Sequence, residues 1–174
     1  MSYGMSTEEG KNLICATLHN MLSDGAAILD IGAGGATYYN LLGPNYDWTA
    51  IEIWPEAAEF CRARYNRVLQ IDMRQYDWDK DYDLVIFGDV LEHVSVEDAQ
   101  KLIKKAKAHS NMILIAIPYC YKQEALYGNE AEKHIQDKLT VELFDALYPG
   151  FNPIKIFWQD GRPAHGYYFW RKED

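Results

Sequence analysis

The stretch Ile28–Leu42, "ILDIGAGGATYYNLL", decides how the rest of the chain is read. Ahead of the glycines, Ala26 to Ile31 form a short apolar run with Asp30 near its end, the pattern of a buried parallel strand. Gly32, Gly34 and Gly35 stand where that strand hands over to a helix. Glycine lets backbone approach a ligand and enter positive φ, and the amides of such a turn favour negative charge. Two phosphate cradles nevertheless fail on spacing. Counting Gly-x-Gly-x-x-Gly from Gly32 puts Thr37 at the last position, and no Gly-Lys-Ser/Thr follows.

Outward from the turn, helix and strand signals alternate. Toward the amino terminus, "STEEGKNLICATLHNML" has Ser6 and Glu9 at capping-box spacing, then Leu13, Ile14, Thr17, Leu18, Met21 and Leu22 at helical intervals. Beyond the turn, "ATYYNLLGP" and "WPEAAEFCRARY" are helix-sized, with Pro55 suited to a first turn. They separate strands expected at "WTAIEI", "RVLQID" and "YDLVIFGDV". Ser95 and Asp98 are spaced as a cap for a helix whose apolar face is Ala99, Leu102, Ile103 and Ala106, with Lys101, Lys104, Lys105 and Lys107 mainly on the solvated side. "MILIAIP" is a fifth strand, ended by Pro118. Thr140 caps "VELFDALYPG", which stops at Gly150. "IKIFWQD" and "GYYFWRK" close the chain as an antiparallel hairpin.

This order predicts an α/β fold of three layers, Rossmann-like, with a mostly parallel seven-stranded sheet and a C-terminal antiparallel hairpin. All 174 residues are expected to form one domain. Ligands of such sheets bind outside the carboxyl ends of the strands. That gathers Gly32–Ala36, Glu52–Trp54, Asp72–Met73, Asp89–His93 and the chain from Tyr119 onward at one rim, joined by the Gln159–His165 turn if the last strand runs antiparallel. Residues 119–138 have no clear period and are longer than an ordinary connection, which predicts a lid or substrate loop.

Composition narrows the partners. A net charge of -9 and a pI near 5.0 argue against nucleic acid and anionic membranes, whose binding rests on Lys and Arg. Cys15, Cys61 and Cys120 are odd in number and form no Cys-x-x-Cys pair, which predicts reduced thiols in a cytoplasmic protein. No signal-like segment and no apolar run of about 18 residues is present, so neither secretion nor membrane spanning is expected.

Taken together, "LDIGAGGA", Glu52 after the second strand, Asp72 after the third and "DLVIFGDVLEHV" resemble the class I S-adenosylmethionine-dependent methyltransferases, in order along residues 26–118. The resemblance implies S-adenosylmethionine as cofactor and S-adenosylhomocysteine as product. It assigns Asp30, Gly32, Ala33 and Gly34 to the methionine part, Glu52 to both ribose hydroxyls, and Ile53 or Trp54 to the adenine face. Asp72 is assigned to the adenine amine with the Met73 amide nearby, and Asp89 and Val90 to the amino acid end. Glu52 alone does not separate this reading from a nicotinamide-dependent oxidoreductase, which also places an acid about 20 residues after the turn. A noncatalytic S-adenosylmethionine-binding module is the other alternative.

Methyl transfer from a sulfonium needs positioning and one base. The candidates at the rim are His93, His134 and His165, with Asp89 as a carboxylate alternative; His19 and His109 fall outside it. This set is read without a metal. A second reading takes Asp89, Glu92, His93 and His134 as metal donors, resembling the ligands of some small-RNA 2'-O-methyltransferases and quinone O-methyltransferases. "FGDV" stands where base-amine methyltransferases have an Asn/Asp-Pro-Pro-Tyr/Phe segment, which argues against base methylation and leaves a small metabolite, a sugar or a protein side chain; an O or N atom of a small molecule, sugar or metabolite is the expected acceptor. Tyr119, Tyr121 and Tyr127 are candidates for its apolar wall or for packing.

Overall fold

A computed structural model describes residues 8–126 and 128–173. The strands are β1 (Ala27–Ile31), β2 (Asp47–Ile51), β3 (Arg67–Leu69), β4 (Tyr82–Gly88), β5 (Ser110–Pro118), β6 (Asn152–Gln159) and β7 (Arg162–Arg171), and the helices are α1 (Glu8–His19), α2 (Thr37–Leu42), α3 (Pro55–Arg62), α4 (Val96–His109) and α5 (Val141–Leu147). They form one seven-stranded sheet in the order β3-β2-β1-β4-β5-β7-β6. The first five strands are parallel; β7 runs antiparallel to both β5 and β6. The chain winds outward from β1 to β3 and returns to lay β4 against β1. This reversal puts the Gly32 turn beside Asp89 at the carboxyl edge.

Strand alternation builds two cores, one on each sheet face. Leu29, Val85, Phe87, Ile113, Ile115 and Tyr168 face α4 and α5, where Leu102 and Phe144 pack, and the Phe144 and Tyr168 rings stack 3.9 Å apart. Ile28, Leu84, Ile86, Leu114 and Tyr167 face α1 and α2, with Ile14, Leu18, Tyr38 and Leu42 against them. Ala99, Leu102, Ile103 and Ala106 are the buried face of α4, and Ser95 caps it by accepting from the Asp98 amide at 3.1 Å. Thr140 accepts from the Leu143 amide at the start of α5. Among the described residues no helix is long and apolar enough to cross a membrane.

Several expectations are corrected. Leu13 is 51% exposed, and Met21 and Leu22 lie beyond the end of α1. The buried stripe is instead Lys11, Ile14, Cys15 and Leu18, which carries a lysine inward. Ser6 of the predicted capping box lies outside the described residues, as does Tyr127. The third strand stops at Leu69, because as the sheet edge it pairs with β2 alone. Lys107 is half-buried, its Nζ donating to the Pro149 carbonyl and lying over the Phe151 ring. Tyr119 belongs to the core: its hydroxyl meets that of Tyr168. The hairpin turn is only Asp160 and Gly161, both at positive φ, so His165 sits within β7, paired with Pro118.

Two positions in this frame yield tests. Gly32 has φ 71°, and a Cβ there would lie 2.6 Å from Val90 Cγ2. Gly32→Ala should lose about 1–2 kcal/mol of unfolding free energy from the left-handed backbone alone, and more from the contact. A Val90→Ala background should recover only the contact part in urea titrations. Asp30, next to last in β1, has its carboxyl pushed up to about 6 by burial, against the Tyr65 hydroxyl that donates to it at 2.7 Å. A raised acid stabilises the fold below its unfolded value, and that contribution is lost as pH rises through about 6. Asp30→Asn should remove a fall in stability on the order of 2–3 kcal/mol across that window. A wild-type pH slope surviving in the variant would assign the proton elsewhere.

Candidate active site

The carboxyl edges of β1, β2 and β4 open into a cavity of about 770 Å³, roofed by the segment after β5. Its size suits a nucleoside-sized cofactor with a second small molecule. The floor is the glycine turn, and three of its amides are already engaged. Gly32 and Ala33 donate to the Ile51 carbonyl at 2.8 and 3.4 Å, and Gly34 donates to Glu52 Oε2 at 2.8 Å. These three amides therefore form no phosphate cradle, and a carboxylate stands where a phosphate would come.

Glu52 sits one residue beyond β2, and its Oε1 accepts from the Trp54 amide at 2.8 Å. Burial pushes its carboxyl up, while the Trp54 and Gly34 amides oppose that shift. Each oxygen still has a lone pair free for a ligand hydroxyl. Ile53, 44% exposed, and the half-buried Trp54 lie beside it on the cavity wall. Asp72 and Met73 line the next stretch. Asp72 accepts from the Arg74 amide at 2.9 Å and pairs with the Arg74 guanidinium, which holds its carboxyl below the usual range.

The structure divides the four catalytic candidates into two groups. In the first, Asp89 at φ 56° places one oxygen on His165 Nε2 and the other 3.1 Å from Lys11 Nζ. Burial alone drives the Asp89 carboxyl up; the His165 hydrogen bond and the Lys11 charge overcome it, so Asp89 is held well below the usual carboxylate range. His165 Nδ1 is buried and has no hydrogen-bond partner among the described residues. In the second, Glu92, His93 and His134 bring their ligating atoms within 4.8 Å of one another. Burial lowers both imidazoles and raises Glu92.

Gly32, Ala33, Gly34, Glu52, Ile53, Trp54, Asp72, Met73, Asp89 and Val90 all line the cavity, as do His93, His134 and His165. Asp30 does not; it lies behind the turn, bonded to Tyr65. His19 bonds Tyr46 and His109 pairs with Asp81, both away from the cavity. Sequence reasoning missed Lys11 and Tyr38. Lys11 lies on the inward stripe of α1, three and four residues before Ile14 and Cys15, and its Nζ sits 5.2 Å from the Tyr38 ring centre. A lysine at helical spacing within a buried stripe was the available signal.

Residues 28–111 match the family described as a methyltransferase domain. No curated protein matches the sequence. Among solved structures, the N-methyltransferase NodS from Bradyrhizobium japonicum is similar at a TM-score of 0.69 and 14% identity, over 96% of this chain and 97% of that one. A S-adenosylmethionine-dependent methyltransferase from Clostridium acetobutylicum gives 0.67 and 12%, over 93% and 89%. The magnesium protoporphyrin IX methyltransferase from Synechocystis, with S-adenosylmethionine bound, gives 0.64 and 13%, over 94% and 79%. At such identities the structural likeness speaks for the fold alone, and the domain match for residues 28–111. Residues 28–111 thus match a methyltransferase domain, and the whole chain has the fold of S-adenosylmethionine-dependent methyltransferases.

Proposed function

We propose that the protein transfers the methyl group of S-adenosylmethionine to an oxygen or nitrogen of a small-molecule acceptor held beneath residues 119–138. The observation that carries the cofactor half of this reading is the Glu52 carboxylate, fixed by the Gly34 and Trp54 amides beside a turn with no free cradle. Two acceptor oxygens suit the paired hydroxyls of a ribose, and an acidic cavity suits a sulfonium better than a pyrophosphate. Ile53 and Trp54 then cover the adenine, with Asp72 and the Met73 amide at its edge. Gly32, Ala33 and Val90 bound the methionine end.

The acceptor half carries the chemistry. The nucleophile attacks the methyl carbon in line as the C–S bond breaks, leaving S-adenosylhomocysteine, and a protonated nucleophile gives its proton to a base. His165 fits that role. An ionised Asp89 accepts from Nε2–H, which leaves the lone pair on Nδ1, and Lys11 balances the charge. Asp89 orients the ring, as carboxylates do for catalytic imidazoles. Residues 119–138 act as the cover, fastened by the Ile135 and Gln136 amides to the Glu92 carbonyl at 2.8 and 3.1 Å, with Tyr121 on the wall.

Calorimetric titration with S-adenosylmethionine, S-adenosylhomocysteine and NAD should give saturable binding of the two sulfur compounds and none of NAD. Glu52→Ala should weaken S-adenosylhomocysteine by about 1.5–3 kcal/mol for each strong bond lost, with melting monitored in parallel; unchanged affinity would move the ribose elsewhere. Acceptors found by product mass allow the second test. His165→Gln should lower kcat by about 100- to 10,000-fold with cofactor affinity retained, and Asp89→Asn should lower kcat through the misoriented ring. Full turnover in His165→Gln would remove it as the base.

A further inference from the structure

Glu92, His93 and His134 are placed in a way the methyl-transfer reading leaves unused. Glu92 and His93 lie in the single turn after β4, while His134 comes from the segment between β5 and α5. His93 Nδ1 meets the Lys133 carbonyl at 3.2 Å and His134 Nδ1 meets the Tyr121 carbonyl at 2.8 Å. A carbonyl can only accept, so Nδ1 carries the hydrogen in both rings and each Nε2 keeps its lone pair. Backbone carbonyls orient metal-bound imidazoles in this manner. The rings meet edge to face with centres 4.8 Å apart.

Glu92 completes the set. Its side chain is 2% exposed, and Oε1 is 3.9 Å from His134 Nε2, too long for a hydrogen bond. Oε2 is buried without a hydrogen-bond partner among the described residues. A carboxylate taken out of water with an orphan oxygen is costly unless a positive charge joins it. The Nδ1 atoms help hold the cover, but the two Nε2 atoms and the Glu92 carboxylate have no part in fastening it. Backbone does that through the Glu92 carbonyl, helped by Gln136 Nε2 donating to the carbonyls of Leu91 and Val94. Asp89 is not a fourth member, since one of its oxygens is taken by His165 and the other by Lys11.

We infer that Glu92, His93 and His134 form a binding site for a divalent transition-metal cation, with its remaining coordination positions open to the acceptor half of the cavity. Two imidazoles in a set of three favour a zinc- or cobalt-like ion over magnesium, which takes oxygen ligands. At the open positions the ion holds an oxygen or nitrogen of the acceptor. That last role rests on the proposed methyl transfer; binding of the ion does not.

The test uses the full chain stripped with a chelator and titrated with cobalt(II), followed by its visible ligand-field bands, with magnesium and S-adenosylhomocysteine titrated in parallel. The expected result is one cobalt per chain, displaced by zinc and not by magnesium. Loss of the cobalt bands is expected in His134→Ala and Glu92→Gln, and in His93→Ala, whose ring is more exposed, with S-adenosylhomocysteine binding retained as evidence of folding. Absence of stoichiometric cobalt in the unaltered protein, or equal cobalt binding in all three variants, would overturn the site. Cobalt binding without S-adenosylhomocysteine binding would overturn the cofactor reading and leave the metal site standing.

Discussion

One carboxylate holds the cavity in shape. Glu52 accepts from the Gly34 amide, reaching from the end of β2 to the turn after β1, and from the Trp54 amide two residues along its own chain. These bonds tie the glycine turn to the end of β2 and set the start of α3. They also occupy an amide of the turn that a phosphate would need. Glycine turns after a first strand are often phosphate sites because their amides point outward. Here the Gly32, Ala33 and Gly34 amides point at Ile51 and Glu52, so a carboxylate and bare backbone face the cavity. The approach of Val90 to Gly32 leaves no room for a Cβ, so the same turn packs β4 tightly against β1.

Around that fixed floor the charged groups sort by their partners. Asp89 is kept ionised by His165 and Lys11, from the opposite ends of the chain. Glu92, three residues later, is pushed up first by burial and then by the Asp89 charge. Neighbours in sequence thus sit in opposite electrostatic settings within one short turn. Asp72 is drawn to Arg74 and keeps its charge at the rim. Any adenine amine that uses it shares it with the guanidinium.

The succession of strands and helices, the glycine turn, the α4 cap at Ser95 and the buried face of α4 were readable because each depends on local spacing. A two-residue alternation or a Ser-x-x-Asp cap is complete within one element. Readings failed where a contact reached outside the element. The α1 stripe was assigned from its own apolar residues, yet Lys11 turns inward because Asp89 waits there. Tyr119 reads equally as cavity wall or core, and its pairing with Tyr168 decides for the core.

By itself, the sequence determined the α/β alternation, the antiparallel closing hairpin and the set of loops that meet at one edge, since strand direction and turn position follow from periodicity. Tertiary structure alone decided which groups pair within that edge. His165 and Asp89 are 76 residues apart, and His93 takes a carbonyl 40 residues away. Such pairings depend on the crossing of chain segments at the switch point, and no local period carries them. The same long-range geometry separates one rim of acids and histidines into a carboxylate clamp, a histidine–aspartate pair and a histidine–glutamate cluster.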